Sequence, residues 1–93
     1  MEEREYIISL YDYYGKLLTS KQQEYFEDYY FENLTMDEIS ENDNISKNAV
    51  SKQLIIIKDK LNYYEDILKL NTNKDNIKSI LNKEEFDKII KYI

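Results

Sequence analysis

Residues 36–53 read MDEISENDNISKNAVSKQ. Thr35 stands just ahead of them, and Asp37 and Glu38 follow within the first turn. Threonine is a favoured helix cap, and acids in a first turn sit well against the positive end of the helix dipole. With Met36 and Ile39 facing inward, the pattern predicts a short helix. Around Asp43 and Asn44 the chain must turn, because Asn tolerates the left-handed conformation that helix ends often require. Ile45 is the apolar residue after the turn, and Ser46 is placed to cap the next helix. A short helix, a tight turn and a capped second helix make the helix-turn-helix layout. The chain around this segment carries a formal net charge of -6. A motif shaped for a nucleic-acid groove thus sits in a protein that phosphates repel.

N-terminal to the motif, Ile7, Leu10, Tyr11, Tyr14 and Leu18 recur at helical spacing, predicting a helix over about residues 2–16. Gly15 either ends that helix or permits close packing; the sequence alone does not decide between them. Thr19-Ser20-Lys21-Gln22 reads as a capping box opening a second helix to about Phe31, with Gln22, Tyr25, Phe26, Tyr29 and Tyr30 inside. C-terminal to the turn, Val50, Leu54, Ile57, Leu61, Tyr64 and Leu68 advance in alternating four- and three-residue steps, a heptad seam. A helix from Lys47 to Leu70 would extend about 36 Å, more than a compact reading head needs. The seam serves either as a spine for the other helices or as a dimer interface. Ile55 and Ile56 lie off it and ask for a second covering surface. Asn71–Asn76 (NTNKDN) reads as a polar break, after which Thr72 or Asn73 caps a short helix bearing Ile77, Ile80 and Leu81. Asn82 and Glu85 form a further capping pair ahead of Phe86, Ile89, Ile90 and Ile93. The expectation is an all-α fold of five or six helices in a single domain over residues 1–93. Residues 1–70 form the core with the long helix, and 71–93 an extension packed back on it.

Composition narrows the function. With no proline and one glycine, Gly15, the chain lacks the turn residues an all-β fold consumes. Absent cysteine removes disulfides, thiolate chemistry and cysteine-bound zinc, and absent histidine removes the commonest general base. A phosphate loop of the Walker type needs two glycines. No catalytic residue, metal ligand or cofactor is therefore expected. The longest apolar run, Leu54–Ile57, is far too short to span a bilayer, and the acidic start MEEREYIISLYDYY is unlike a signal peptide. A soluble, cytoplasmic, non-enzymatic protein is the expectation. Ile, Lys, Tyr and Asn make up 44 of the 93 residues, a bias of AT-rich codons that accounts for the ten tyrosines without invoking a base-stacking surface.

The charge is uneven. Residues 1–44 hold twelve acids against three bases, a net of -9, and residues 45–93 hold ten bases against seven acids, a net of +3. The second helix of the motif lies in the basic half. Its candidate nucleic-acid contacts are Ser46, Lys47, Asn48, Ser51, Lys52 and Lys58: lysines for phosphates, Asn48 and Ser51 for base edges. The plain alternative is a solvated helix face. The only arginine, Arg4, lies outside the motif, so bidentate guanine reading and tight duplex recognition are not expected. The acidic first half either keeps the protein soluble or docks a basic protein.

Leu10–Tyr14, Leu17–Gln22, Tyr29–Tyr30 and Glu38–Ile39 read L-Y-D-x-Y, L-L-T-x-K-Q, Y-Y and E-I, and Ile45–Val50 reads ISKNAV. In these segments the chain resembles the YlxM family of small bacterial helix-turn-helix proteins over about three quarters of its length. That family is similar to the DNA-binding fourth region of sigma factors and is associated with the signal recognition particle. The resemblance implies an accessory or regulator of that targeting pathway, contacting the particle's RNA, its GTPases, or both. The sequence departs from the family where Asp43 replaces a large apolar residue before the turn, so that either Asp43 faces solvent or the turn is reshaped. Ser40 stands for alanine, Lys47 for a frequent arginine, and Leu54-Ile55-Ile56 for a more basic stretch, while the C-terminal segment looks shortened. Two other readings stay open: a DNA-binding transcription regulator with weak DNA affinity, and a helical protein that acts through homodimerisation. A homodimer is expected from the unpaired apolar residues of the long helix.

Overall fold

The computed structural model describes residues 2–92, and among them every regular element is helical. Helix α1 spans Glu3–Tyr14 and tightens into a 3₁₀ turn at Gly15–Leu17. Helix α2 spans Ser20–Phe26 and widens into a π-helical turn at Glu27–Phe31. Then come α3 (Met36–Asp43), α4 (Lys47–Leu68), α5 (Leu70–Ile80) and α6 (Lys83–Ile89), ending in a 3₁₀ turn at Ile90–Tyr92. Ile93, expected on the last apolar face, lies outside the described residues. No helix of the described residues is long and apolar enough to cross a membrane.

The caps fall where the residue types place them. Thr19 accepts from the Gln22 N–H while Gln22 reaches back, and Thr35 with Glu38 and Asn82 with Glu85 do the same. Each pair satisfies two backbone donors that a helix start leaves open. Asn44 ends α3 in the left-handed region with φ 58°, as its amide side chain tolerates.

Helix α4 is the spine. Val50, Leu54, Ile57 and Leu61 are buried against Ile7, Leu10 and Tyr14 of α1, Phe26 and Tyr30 of the α2 segment, and Ile39 of α3. The heptad seam is thus spent within one chain, which decides the spine reading over the dimer reading for these positions. Gly15 is buried with ordinary right-handed φ, and a Cβ there would lie 2.8 Å from Cε2 of Tyr11. Both expectations meet here: the α-helical winding of α1 ends at Tyr14 with Gly15 as its C-cap, and the missing side chain leaves room for the Tyr11 ring. The Tyr11 ring lies flat on Phe26 at 4.0 Å between centroids, and its hydroxyl donates to Glu27 at 2.8 Å.

The sequence pattern misplaces the end of the spine. The break falls at Lys69, which takes φ 55°, and α5 runs straight through the supposedly polar 71–76 stretch. The cause is a buried acid. Glu65, 3% exposed, follows Leu61 on the buried line where the expected seam ran through Tyr64, and Leu68, the next expected position, is left 47% exposed. The carboxylate of Glu65 accepts from the N–H groups of Asn71 (3.1 Å) and Thr72 (2.9 Å), from the Thr72 hydroxyl (2.5 Å) and from the Tyr14 hydroxyl (2.6 Å). The Tyr14 oxygen in turn accepts from the Leu70 N–H at 3.1 Å. Neither Thr72 nor Asn73 caps α5. A glutamate from the preceding helix and a tyrosine from α1 do so instead. Burial alone would raise the Glu65 pKa, but the hydrogen bonds from Thr72, Tyr14 and Asn71 together outweigh it and hold the carboxyl below its usual range. Burial and the Glu65 carboxylate push the Tyr14 phenol up to about 12.

Asp43 takes neither course expected of it. The turn keeps its left-handed Asn44, yet the Asp43 side chain is only 12% exposed, 3.4 Å from the ammonium of Lys21. Its Oδ2 is buried with no hydrogen-bond partner. An acid at a helix C-terminus also opposes the dipole. Replacing it with an apolar residue of similar size should therefore stabilise the fold. Asp43→Leu should raise stability by about 1 kcal/mol, read as a shifted urea midpoint with unchanged slope. A lowered midpoint would show that Lys21 and Asp43 contribute more than the stranded oxygen costs.

Candidate nucleic-acid interface

Helix α3, the turn at Asn44 and the first turns of α4 form a folded helix-turn-helix, with Ile39, Ile45 and Val50 anchoring it to the core. The six sequence-predicted contact residues do not form one uniform surface. Ser46 spends its hydroxyl on the cap, accepting from the Ala49 N–H at 3.1 Å. Asn48 and Lys52, four residues apart, are exposed on the outward side of α4, and Ser51 is half-buried beside them. Lys47 points from the first turn towards α3, 3.7 Å from Oδ1 of Asp37. Both partners of that pair are largely exposed, where such contacts hold a side chain weakly.

Lys58 is different. It lies three turns further along, half-buried, with its ammonium 2.6 Å from Oε1 of Glu3 on α1. The Glu3 hydrogen bond raises the Lys58 pKa, and Lys58 lowers that of Glu3. A lysine so engaged joins α4 to α1 and offers a phosphate less than a free ammonium would. Lys60 likewise turns inward, donating to Gln22 Oε1 at 3.2 Å.

Sequence reasoning missed Arg4. The fold carries it from the start of α1 to a notch of about 510 Å³ that it lines with Tyr29, Asn33, Thr35, Asp37 and Lys47. Its guanidinium donates to the Tyr30 carbonyl at 2.5 Å and to Asn33 Oδ1 at 2.8 Å, and lies over the Tyr30 ring. Asn33 reaches it through a left-handed φ of 57°. Arg4 and Lys47 are forty-three positions apart, so no local pattern could have paired them. The notch adjoins the start of α4 and gives the motif two cations in place of one, with Asp37 offsetting part of their charge.

The resulting surface carries Asn48, Lys52, Lys47 and Arg4 against the neighbouring acids Asp37, Glu38 and Glu41. It can hold a few phosphates and present one amide to a base edge. It lacks a free arginine for bidentate guanine contact, because Arg4 already spends donors on Tyr30 and Asn33.

Comparison with known proteins places this geometry in a lineage. A family model described as "UPF0122: Putative helix-turn-helix protein, YlxM / p13 like" matches residues 1–91. A UPF0122 protein of Ureaplasma parvum serovar 3 is 40% identical over 98% of this chain and 95% of its own length. One from Ureaplasma urealyticum serovar 10 is 39% identical with the same coverage. Another from Fusobacterium nucleatum is 34% identical over 90% of this chain and 88% of its own.

Proposed function

The chain belongs to the UPF0122 family of YlxM/p13-like helix-turn-helix proteins, and from that premise we propose that it is a non-catalytic accessory or regulator of the signal recognition particle pathway, binding the particle's RNA, its GTPases, or both. The observation that carries the reading is the fate of the motif's cations. The helix-turn-helix is intact, yet Lys58 is bound to Glu3, Lys47 sits beside Asp37, and Arg4 is partly spent on the backbone. A transcription regulator that must find one site among many needs phosphate affinity and base readout together. This surface supplies little of either. Structured RNA held by shape and a few backbone contacts asks for less, and the acidic first half suits a basic protein component of the same particle.

Binding to signal recognition particle RNA should be measurable at low salt and nearly lost a few-fold above physiological salt, since two or three neutralised phosphates give a shallow but decisive salt slope. In fluorescence anisotropy, Lys47→Glu with Lys52→Glu should abolish that binding with helicity unchanged, because both side chains face solvent. Lys58→Gln should bind RNA like the parent, its charge being spent on Glu3. Nanomolar, sequence-selective binding to duplex DNA at physiological salt would overturn the targeting reading in favour of a DNA-binding regulator. RNA binding by the double variant equal to the parent's would remove α4 from the interface.

A further inference from the structure

Arg4 is the chain's one arginine, and its neighbours hold it in place. Its Nη2 donates to the Tyr30 carbonyl and to Asn33 Oδ1, and its guanidinium lies 5.4 Å above the Tyr30 ring. Asn33 reaches it from a left-handed backbone, which asparagine adopts more readily than most residues. Both hydrogen bonds leave from Nη2. A guanidinium has five N–H donors, so Nη1 and Nε keep three that no described residue accepts. The side chain is fixed without being used up, and a cation fixed in advance loses little freedom when a ligand arrives.

The notch that Arg4 lines, about 510 Å³, falls within the roughly 300–1,000 Å³ range of small-ligand sites. Three other groups on its wall differ in kind. Lys47 brings a second cation. Tyr29 brings a half-buried ring, set square to Tyr30 at 85° with 5.0 Å between centroids. Asp37 brings an exposed carboxylate 3.7 Å from the Lys47 ammonium. Taken singly they suit different partners. Two cations attract a phosphate, an aromatic ring takes the face of a base, and a carboxylate repels the phosphate that the cations attract. One ligand reconciles all of them. A ribonucleotide carries a phosphate, a base face and a 2′-hydroxyl that donates to a carboxylate, and that hydroxyl is how a protein tells RNA from DNA. Regular duplex DNA offers neither an unstacked base nor the hydroxyl.

We propose that the notch between Arg4 and Lys47 receives one unstacked nucleotide of a bound RNA, with its phosphate on those two cations, its base on the Tyr29 ring and its 2′-hydroxyl donating to Asp37. The inference rests on the reading of the chain as an RNA-binding accessory and deepens it. It supplies what the exposed face of α4 lacks, a reason to prefer an RNA with an unpaired base over a regular duplex. A free ribonucleotide carries the same groups. The notch, however, adjoins the exposed start of α4, where Asn48 and Lys52 extend the surface for a polymer and offer nothing to a monomer.

Fluorescence anisotropy at low salt, with two labelled RNA duplexes alike except for one bulged adenosine, tests the notch. The parent should bind the bulged duplex about tenfold more tightly, as one stacked base contributes. Tyr29→Leu should erase that preference while keeping parental circular dichroism. A 2′-deoxy nucleotide at the bulge should weaken parental binding several-fold, whereas Asp37→Ala, at an exposed position, should bind the two forms alike. If Tyr29→Leu loses its fold, Asp37→Ala decides the question alone. Lys52→Glu, outside the notch, should weaken both duplexes equally and leave the preference intact. A parent that binds both duplexes alike, with Lys52→Glu weakening both, keeps the RNA reading and overturns the notch. A parent that binds neither overturns RNA binding and the notch together. A folded Tyr29→Leu that keeps the preference, or Asp37→Ala that still separates ribose from deoxyribose, overturns the proposal. Micromolar binding of AMP alone, read by isothermal titration calorimetry, would assign the notch to a free nucleotide and overturn it as well.

Discussion

Glu65→Ala should be the most damaging single truncation at the junction of the two halves, lowering stability by about 3 kcal/mol. Four donors lose their acceptor at once: the N–H groups of Asn71 and Thr72, the Thr72 hydroxyl and the Tyr14 hydroxyl. Tyr14 is almost fully buried, so its hydroxyl cannot turn to water in compensation. For a chain of this size a loss of that order lowers Tm by roughly 10–20 °C. The charge has its own signature. The folded Glu65 carboxyl titrates below its ordinary value of 4.5. Its contribution is therefore complete above the unfolded value and is lost as pH falls from there through the folded value. Urea denaturation of the parent should show stability declining below about pH 4.5, and Glu65→Gln should flatten that decline while starting from a lower plateau. If Glu65→Gln and the parent lost stability in parallel over that interval, other carboxyls would be responsible and the ionised cap would not be.

Gly15→Ala should cost about 1–3 kcal/mol, although alanine ordinarily favours a helical backbone of this kind. The new methyl would stand 2.8 Å from the Tyr11 ring, closer than carbon atoms tolerate. The ring has little room to retreat: Phe26 is stacked on it at 4.0 Å, Phe31 meets it edge-on at 5.7 Å, and Glu27 holds its hydroxyl. Making the residue smaller at the other side tests the cause. Combined with Tyr11→Leu, Gly15→Ala should cost markedly less than it does alone, a coupling that a thermal or urea double-mutant cycle reads directly. Strict additivity would place the damage in the backbone and not in the ring.

Most of the helical framework was legible because its signals are local. Thr19, Thr35, Ser46 and Asn82 announce their helices within four residues, and Asn44 announces its turn. The inner face of α4 was legible through Leu61 because alternating steps of three and four have one structural meaning. The reading failed where a distant residue decides. The end of α4 depends on Glu65 and Tyr14 meeting across the fold, fifty-one positions apart, and the asparagine-rich stretch downstream offered a more obvious but wrong break. The candidate interface divides in the same way. Asn48 and Lys52 could be placed outward from the helical period alone. That Lys58 is tied to Glu3 and that Arg4 joins Lys47 at one notch are properties of how α1 packs, and no window of sequence contains them.

The wide turn at Glu27–Phe31 has a consequence for how this chain tolerates changes of length. A π-helical turn accommodates one residue more than the α-helix it interrupts. Here the extra residue lets Tyr30 stack on Phe26 at 4.4 Å while Phe31 also reaches Phe26 and Tyr11 edge-on, so neighbouring side chains serve the same aromatic cluster. The turn is a stored insertion. Removing one residue from it would return the segment to α-helical winding and rotate Phe31 out of the cluster, with α1 and the first turns of α2 left in register.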